Sequence, residues 1–248
     1  SAQINPLGEN STTVYDNANR ATSLQDPLGR ISTTVYDAAG RAIAQVNPLL
    51  KRTTTTFDGA GRATAITNPL GFSTSTAYDR AGQPILRIDA LGNVSTTVYD
   101  AVGQVTVTIN PLGARTSMLY DGVGHQVRLT NPVNGITTMV FNAAGEQTEV
   151  INPLNQSTQT LYDPAGRPVV TINPQSARTS TIYDAAGQAI ATINPVGLRT
   201  TRVYDEAGRV KATIAPLNRI STTILDLANQ PCVQLDPLNQ RTTSIYDL

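Results

Sequence analysis

The sequence has no tryptophan, one cysteine (Cys232), one histidine (His125) and only two lysines, Lys51 and Lys211. A single thiol excludes an internal disulfide framework and a cysteine-based zinc site. One imidazole and one thiol also leave nothing from which to build a Ser-His-Asp or Cys-His assembly. Charge is scarce: 15% of the 248 residues are charged, against about 25% in an ordinary soluble domain. The 18 basic and 18 acidic side chains cancel, so the totals offer no attraction for nucleic acid or an anionic membrane surface. No apolar run approaches the roughly 18 residues of a spanning helix, and no basic-then-apolar leader opens the sequence. No nucleic-acid partner, membrane insertion or cofactor is therefore expected.

What is present is repetition, and a period has to be found before any element is assigned. Aromatic residues stand at Tyr15, Tyr36, Phe57, Tyr78, Tyr99, Tyr120, Phe141, Tyr162, Tyr183, Tyr204 and Tyr246, all on a 21-residue period that only Leu225 breaks. Asp follows at Asp16, Asp37, Asp58, Asp79, Asp100, Asp121, Asp163, Asp184, Asp205 and Asp247, with Asn142 as the exception. Nine residues before each aromatic position lies Pro, including Pro6, Pro27, Pro48, Pro69 and Pro111, with Ala90 as the exception. Counting the aromatic as position 1, a typical unit reads Tyr-Asp-x-Ala-Gly-Arg, then four variable residues, Ile-Asn-Pro-Leu-Gly, two variable residues and Thr-Thr-Thr-Val. No insertion or deletion interrupts the copies.

Two segments of each unit have turn chemistry: Asp-x-Ala-Gly at positions 2–5 and Asn-Pro-Leu-Gly at positions 12–15. Gly40, Gly82, Gly103 and their equivalents end the first, with Asn19 and Asn229 as substitutes; Leu50 and Ser176 depart from Gly or Asn in the second. Gly and Asn tolerate positive φ, Pro presets a turn's first central dihedral, and Asp or Asn caps its amides. Both segments read as type I turns closed by a left-handed residue and a G1 bulge. Between them lie stretches of Thr, Val and Ile with strand composition and no helical period.

The expected fold class is all-β: tandem 21-residue repeats forming a continuous antiparallel β-hairpin strip that spirals into a hollow or tubular sheet. A parallel β-solenoid with one unit per coil is the alternative. Short loops ending in a left-handed Gly favour hairpins. About 24 strands at about 4.8 Å would make a ribbon roughly 115 Å long, and accumulated twist curls so wide a sheet. Apolar residues at position 21 (Val14, Val35, Val98, Leu119, Ile182, Ile245) face away from the aromatics. Ser or Thr at position 18 offers hydroxyls to neighbouring units or turn backbone. The leucines at position 14 (Leu7, Leu28, Leu70, Leu91, Leu112, Leu154, Leu238) are expected to tuck over the sheet edge.

The Tyr-Asp-x-Ala-Gly-Arg segments, as in Tyr36 to Arg41 and Tyr204 to Arg209, each followed by a Pro-Leu-Gly type of turn, resemble the YD repeat of RHS proteins. The resemblance spans the chain. It implies a strip of β-hairpins spiralling into a hollow shell, which surrounds a toxic C-terminal cargo in bacterial toxin complexes and belongs to an adhesion receptor in teneurins. It also implies that the aromatic and Asp columns are structural. The family's shell-closing core, self-cleaving acidic residues and variable toxin domain have no counterpart here, and Asp26-Pro27-Leu28-Gly29 is by its register an ordinary turn copy.

Each candidate for chemistry has a plainer reading. The Asp column could be a metal ladder, but one carboxylate per copy and the absence of a Gly-Gly-x-Gly-x-Asp repeat favour turn capping. His125 stands where most copies carry Arg or Gln, which makes it an exposed substitution and not a base. Cys232 lies in a Thr, Ile and Val column, that of an inert strand residue. Asn10, Asn93 and Asn155 begin N-x-S/T triplets that a hydroxyl-rich repeat yields by chance. Arg52, Arg115, Arg178, Arg199 and Arg241 share a column that Ile31, Val94 and Ile136 interrupt, so a binding track is the weaker reading.

The structural repeat positions are thus Tyr15, Asp16, Tyr36, Asp37, Gly40, Pro48, Tyr78, Asp79, Gly82, Tyr99, Asp100, Gly103, Pro111, Tyr120, Asp121, Tyr162, Asp163, Tyr183, Asp184, Tyr204, Asp205, Tyr246 and Asp247. No catalytic, cofactor or metal residue is assigned. Residues 1–248 are read as one array, a segment of a longer secreted or surface protein that builds a wall or fibre shaft. Its expected partners are copies of itself or further repeats of the same chain. A section of a toxin-enclosing shell with a polypeptide cargo, or an adhesive module, are the alternatives. Localisation outside the cytoplasm follows from the resemblance.

Overall fold

A computed structural model describes residues 1–4, 10–225 and 230–245. Among these there are 24 strands and a single 3-10 turn at Pro216–Asn218. The chain divides into two units, Ser1–Met118 and Leu119–Leu248, and each is built by the same rule. A six-residue strand ends in the aromatic, as in Arg52–Phe57, and a five-residue strand follows, as in Ala63–Thr67. Within the first unit, consecutive strands from Ala2–Ile4 onward pair antiparallel as far as Val107–Ile109 against Arg115–Ser117. Within the second, the same order runs from Gln126–Thr130 to Arg241–Thr243. These pairings make an all-β hairpin strip. They overturn the parallel solenoid, because two three-residue reversals per repeat return the chain beside itself in opposite directions.

Both reversals are the expected loop. At Asp37–Arg41, the Gly40 amide donates to the Asp37 carbonyl at 3.0 Å and the Asp37 amide to the Arg41 carbonyl at 3.0 Å, with Gly40 at φ 83°. At Asn47–Lys51 the equivalent distances are 2.9 and 3.0 Å. Leu50 and Ser176 adopt the left-handed conformation despite their side chains, at φ 59° and 61°. The turn after Ala215 differs: without a side-chain oxygen at position 12, Leu217 and Asn218 are both left-handed, at φ 64° and 56°.

The two hairpin types are not equivalent. Across the Pro turn the register is regular, Val46↔Arg52 and Ala44↔Thr54. Across the Asp turn it breaks just before the aromatic: Val35 pairs with Ala44 but Tyr36 with Ala42, so Ile43 is an extra, bulged residue. The same break precedes Tyr15, Phe57, Tyr78, Tyr99, Phe141, Tyr162, Tyr183, Tyr204 and Leu225. This bulge at position 8 gives the recurrent hydroxyl bonds their place. Thr22, Thr106 and Thr148 donate from it to the carbonyls of Val14, Val98 and Val140 at 3.2–3.3 Å, and the thiol of Cys232 does the same to Ile224. These bonds come from position 8, a column of mixed residues.

Partners across a ladder share a face, so position 9 lies with position 21 and opposite the aromatics. The most buried side chains, Ala44, Val170, Ala191 and Val233, all occupy position 9. Leu7 lies outside the described residues, and the other position-14 leucines do not tuck over the edge. Leu28, Leu70, Leu91, Leu112 and Leu154 are 75–91% exposed, because the middle of a three-residue loop extends past the last ladder pair and has no strand to pack on.

Holding a branched side chain at positive φ costs about 1 kcal/mol or more. Leu50→Gly is therefore expected to raise stability by about 1 kcal/mol, read as a higher melting temperature. An unchanged or lowered melting temperature would contradict a strained Leu50.

Candidate functional site: a ladder along the aspartate turns

The Asp column does two things at once. One carboxylate oxygen closes its own turn: Asp37 Oδ1 accepts the Ala39 and Arg41 amides, both at 2.9 Å. The other oxygen, Oδ2, takes the Arg41 Nε at 2.7 Å. Asp16–Arg20, Asp58–Arg62, Asp163–Arg167 and Asp205–Arg209 repeat this pair at 2.6–2.7 Å. These bonds hold the carboxyl groups below the ordinary aspartate value of 3.8. For Asp16 and Asp163 the arginine side chain is the first cause, and for Asp37, Asp58 and Asp205 the arginine backbone amide is.

The arginine then reaches into the next repeat. Arg41 donates through Nη1 to the Asp58 carbonyl at 3.0 Å, and its Cζ sits 4.8 Å from the centroid of the Phe57 ring. Arg20 over Tyr36, Arg62 over Tyr78 and Arg167 over Tyr183 are alike, at 4.7–4.8 Å. The aromatic completes the connection from the other side. The hydroxyls of Tyr36, Tyr78, Tyr162 and Tyr204 donate at 2.9–3.0 Å to carbonyls fifteen residues back, on Ala21, Ala63, Gln147 and Ala189. Each acceptor is at position 7, beside the bulge. Tyr99 and Tyr183 do the same to Pro84 and Pro168 at 3.2 and 3.1 Å.

Several copies vary the chemistry and keep the geometry. His125 is half-buried, and not the exposed substitution expected: its Nδ1 lies 2.9 Å from Asp121 Oδ2, and its ring stacks on Phe141 at 4.5 Å. It occupies the arginine's place. In the copy with Asn142, the residue four positions on is Glu146, and Asn142 Nδ2 donates to Glu146 Oε2 at 2.6 Å. In the Pro turns, Asp26 takes Arg30 Nε at 2.6 Å and Asp89 takes Asn93 Nδ2 at 2.8 Å, while Asn152 Nδ2 donates to Gln156 Oε1 at 2.9 Å. In these copies the side chain at +4 supplies the partner that the free end of the Asp or Asn needs, whereas Phe72, Ala114, Ala177 and Leu198 at the same place have no polar group to offer.

Of the other predicted positions, Asp79, Asp100 and Asp184 each accept the amide four residues on, at 2.8–2.9 Å. Gly82 and Gly103 close their turns at φ 89° and 90°. Pro48 and Pro111 sit in the loops that Asn47 and Asn110 cap. Tyr15 and Tyr120 end their six-residue strands. Tyr246 and Asp247 lie outside the described residues. Among the described residues no group of three or more His, Cys, Asp or Glu is placed to hold a metal. The guanidinium over the following ring and the phenol bond were not read from the sequence. Their signal is a fixed spacing of sixteen residues from Arg to the next aromatic.

A sequence profile of the teneurin YD-shell matches residues 4–221. No curated protein sequence matches the chain. A crystal structure of TcdB2-TccC3 is similar over 97% of this chain and 18% of that one, at 14% identity and a TM-score of 0.56. The Photorhabdus luminescens Tc holotoxin pore matches over 94% of this chain and 17% of that one, at 13% identity and a TM-score of 0.43. The first of these shows a shared fold, and the chain spans less than a fifth of the length of either.

Carboxyl groups whose values are lowered on folding stabilise above the unfolded value and lose that contribution as pH falls through the folded one. Melting temperature is accordingly expected to hold above pH about 4 and fall below it, with Asp37→Asn flattening part of the acid limb. A flat acid limb in the unsubstituted protein would rule out the ladder's contribution. Donor matching is tested by Asn142→Asp, which sets a second carboxylate against Glu146 and is expected to cost about 1 kcal/mol in denaturant unfolding. Adding Glu146→Arg should restore it, and absence of rescue would refute the matching rule.

Proposed function

As the chain belongs to the teneurin YD-shell family, we propose that it acts mechanically, as a stretch of wall in a large secreted or cell-surface protein, and performs no catalysis of its own. Residues 1–248 act as one repeat array, joined to further repeats of the same kind. The observation that carries this reading is the ladder: Arg20, Arg41, Arg62 and Arg167 each bind their own turn and the next repeat's ring and carbonyl. Such contacts add with every copy and converge on no reaction centre. Stability that resides between neighbours suits an extended wall, and accumulated strand twist curls it.

Enclosure of a polypeptide is the second reading, and the position-21 column favours it. Val14, Val35, Val98, Leu119, Leu161 and Ile224 stand exposed on the face away from the aromatics. A concave wall with that face inward would present an aliphatic lining to an unfolded chain. The TcdB2-TccC3 likeness supports the fold of such a wall at 14% identity; the cargo itself is part of the proposal.

Excision of one complete 21-residue unit tests the mechanical reading. The shortened chain is expected to keep its β circular dichroism spectrum and to melt only a few degrees lower, and electron microscopy should show thin curved strips. Loss of folding on excision, or compact globular particles, would overturn the proposal.

A further inference from the structure

The two edges of the strip differ in a way the wall reading does not use. In the first unit Leu28, Leu49, Leu70, Leu91 and Leu112 stand at the tips of successive Pro turns, 75–91% exposed; in the second, Val133, Leu154, Val196, Leu217 and Leu238 do so at 76–87%. All but Leu91 follow a proline. Four consecutive tips of the second unit, Asn131–Gly135, Asn152–Gln156, Asn173–Ala177 and Asn194–Leu198, hold no charged residue. The Asp-turn edge of the same unit carries Asp163, Arg167, Asp205 and Arg209. Over those four turns the Pro-turn edge is uncharged, whereas in the first unit Asp26, Arg30, Lys51 and Asp89 flank the leucine tips.

We propose that the Pro-turn edge pairs with the Pro-turn edge of a second copy of this chain, the leucine and valine tips of one seated between those of the other. The occupant is identified by period. Tips recur once per two strands, about 9.6 Å apart, and a surface commensurate with that spacing over many repeats is another strip of the same repeat. The area is sufficient. A buried leucine removes on the order of 100 Å² from water, so five tips facing five bury roughly 1,000 Å², and the flanking prolines carry the total past the roughly 1,200 Å² of a stable interface. Such pairing is isologous and closes on itself as a dimer. This inference rests on the wall reading, and it adds how one length of wall meets another.

Sedimentation equilibrium of the complete chain tests it. A dimer is expected at about 100 μM, with high salt leaving it intact or tightening it, since the leucine and valine tips that meet are uncharged. The combined variant Leu49→Asn, Leu70→Asn, Leu91→Asn and Leu112→Asn places turn-compatible residues at exposed sites. It should keep the β spectrum and weaken the dimer at least tenfold, whereas Arg41→Ala in the ladder should lower the melting temperature and leave the dimer unchanged. A monomer at that concentration, a dimer dissolved by salt, or an asparagine variant that dimerises like the parent would each overturn the proposal. The wall reading fails separately: thin strips that stay monomeric sink only the pairing, and compact particles that dimerise sink only the wall.

Discussion

One side-chain oxygen accepting two backbone amides sets the geometry of this protein. Asp37 does it at one reversal and Asn47 at the next, with amides two and four residues on at 2.9–3.0 Å. That oxygen fixes the loop at three residues and places the last of them in the left-handed region. The partner strand then begins in a single register. Insertion of one residue would move every later side chain to the wrong face, which accounts for a 21-residue period kept without interruption. Ala215 shows the converse: where the oxygen is missing, the loop takes a different backbone path.

A strip one sheet thick has little interior, and its most buried positions are small or β-branched residues of one column. The connection between repeats must therefore come from side chains lying along the sheet. The bulge at position 8 belongs to this arrangement. It stands beside the position-7 carbonyl to which the next repeat's tyrosine donates, and a threonine there binds the carbonyl across the hairpin. The aspartate is shared between two tasks, with one oxygen inside the turn and the other turned to the arginine that crosses to the following ring.

Turns and strands were legible in the sequence because their causes are local. Asp or Asn, Pro and Gly act within five residues, so repetition of those residues is repetition of the loop. The bulge was not legible: position 8 holds Thr22, Ile43, Lys211 and Cys232 alike, since the extra residue follows from how the hairpin closes and demands no one side chain. The arginine's second role was hidden because Phe57 lies sixteen residues on, beyond a further reversal at Asn47–Lys51. His125 was misread for the same reason, its stacking partner Phe141 being sixteen residues away. The leucine tips were misplaced because a large apolar residue in a turn ordinarily implies a neighbour to pack on, and here the loop projects beyond the sheet.

The glycines separate what the two turns are for. Both require a left-handed residue, yet the Pro turn accepts Leu50, Asn134, Asn155 and Ser176 there, while from Gly40 to Gly208 the Asp turn holds only Gly. Backbone conformation cannot explain the difference, since φ is positive in both. The explanation is the crossing side chain. A Cβ at Gly40 would lie 3.3 Å from Arg20 Nη1, at Gly103 2.8 Å from Gln83 Nε2, at Gly145 3.2 Å from His125 Nε2 and at Gly166 3.0 Å from Glu146 Oε1. A Cβ at Gly71, Gly92, Gly113 or Gly197, in the Pro turns, would meet nothing within 4 Å. In those copies the Asp-turn glycine meets two demands, a positive φ for its own loop and an open path for the preceding repeat's Arg, Gln, His or Glu, while at Gly61 and Gly187 the crossing arginine stands 3.8 and 3.6 Å off, in ordinary contact. The Pro turn meets only the first, which leaves its tips free to carry apolar residues outward.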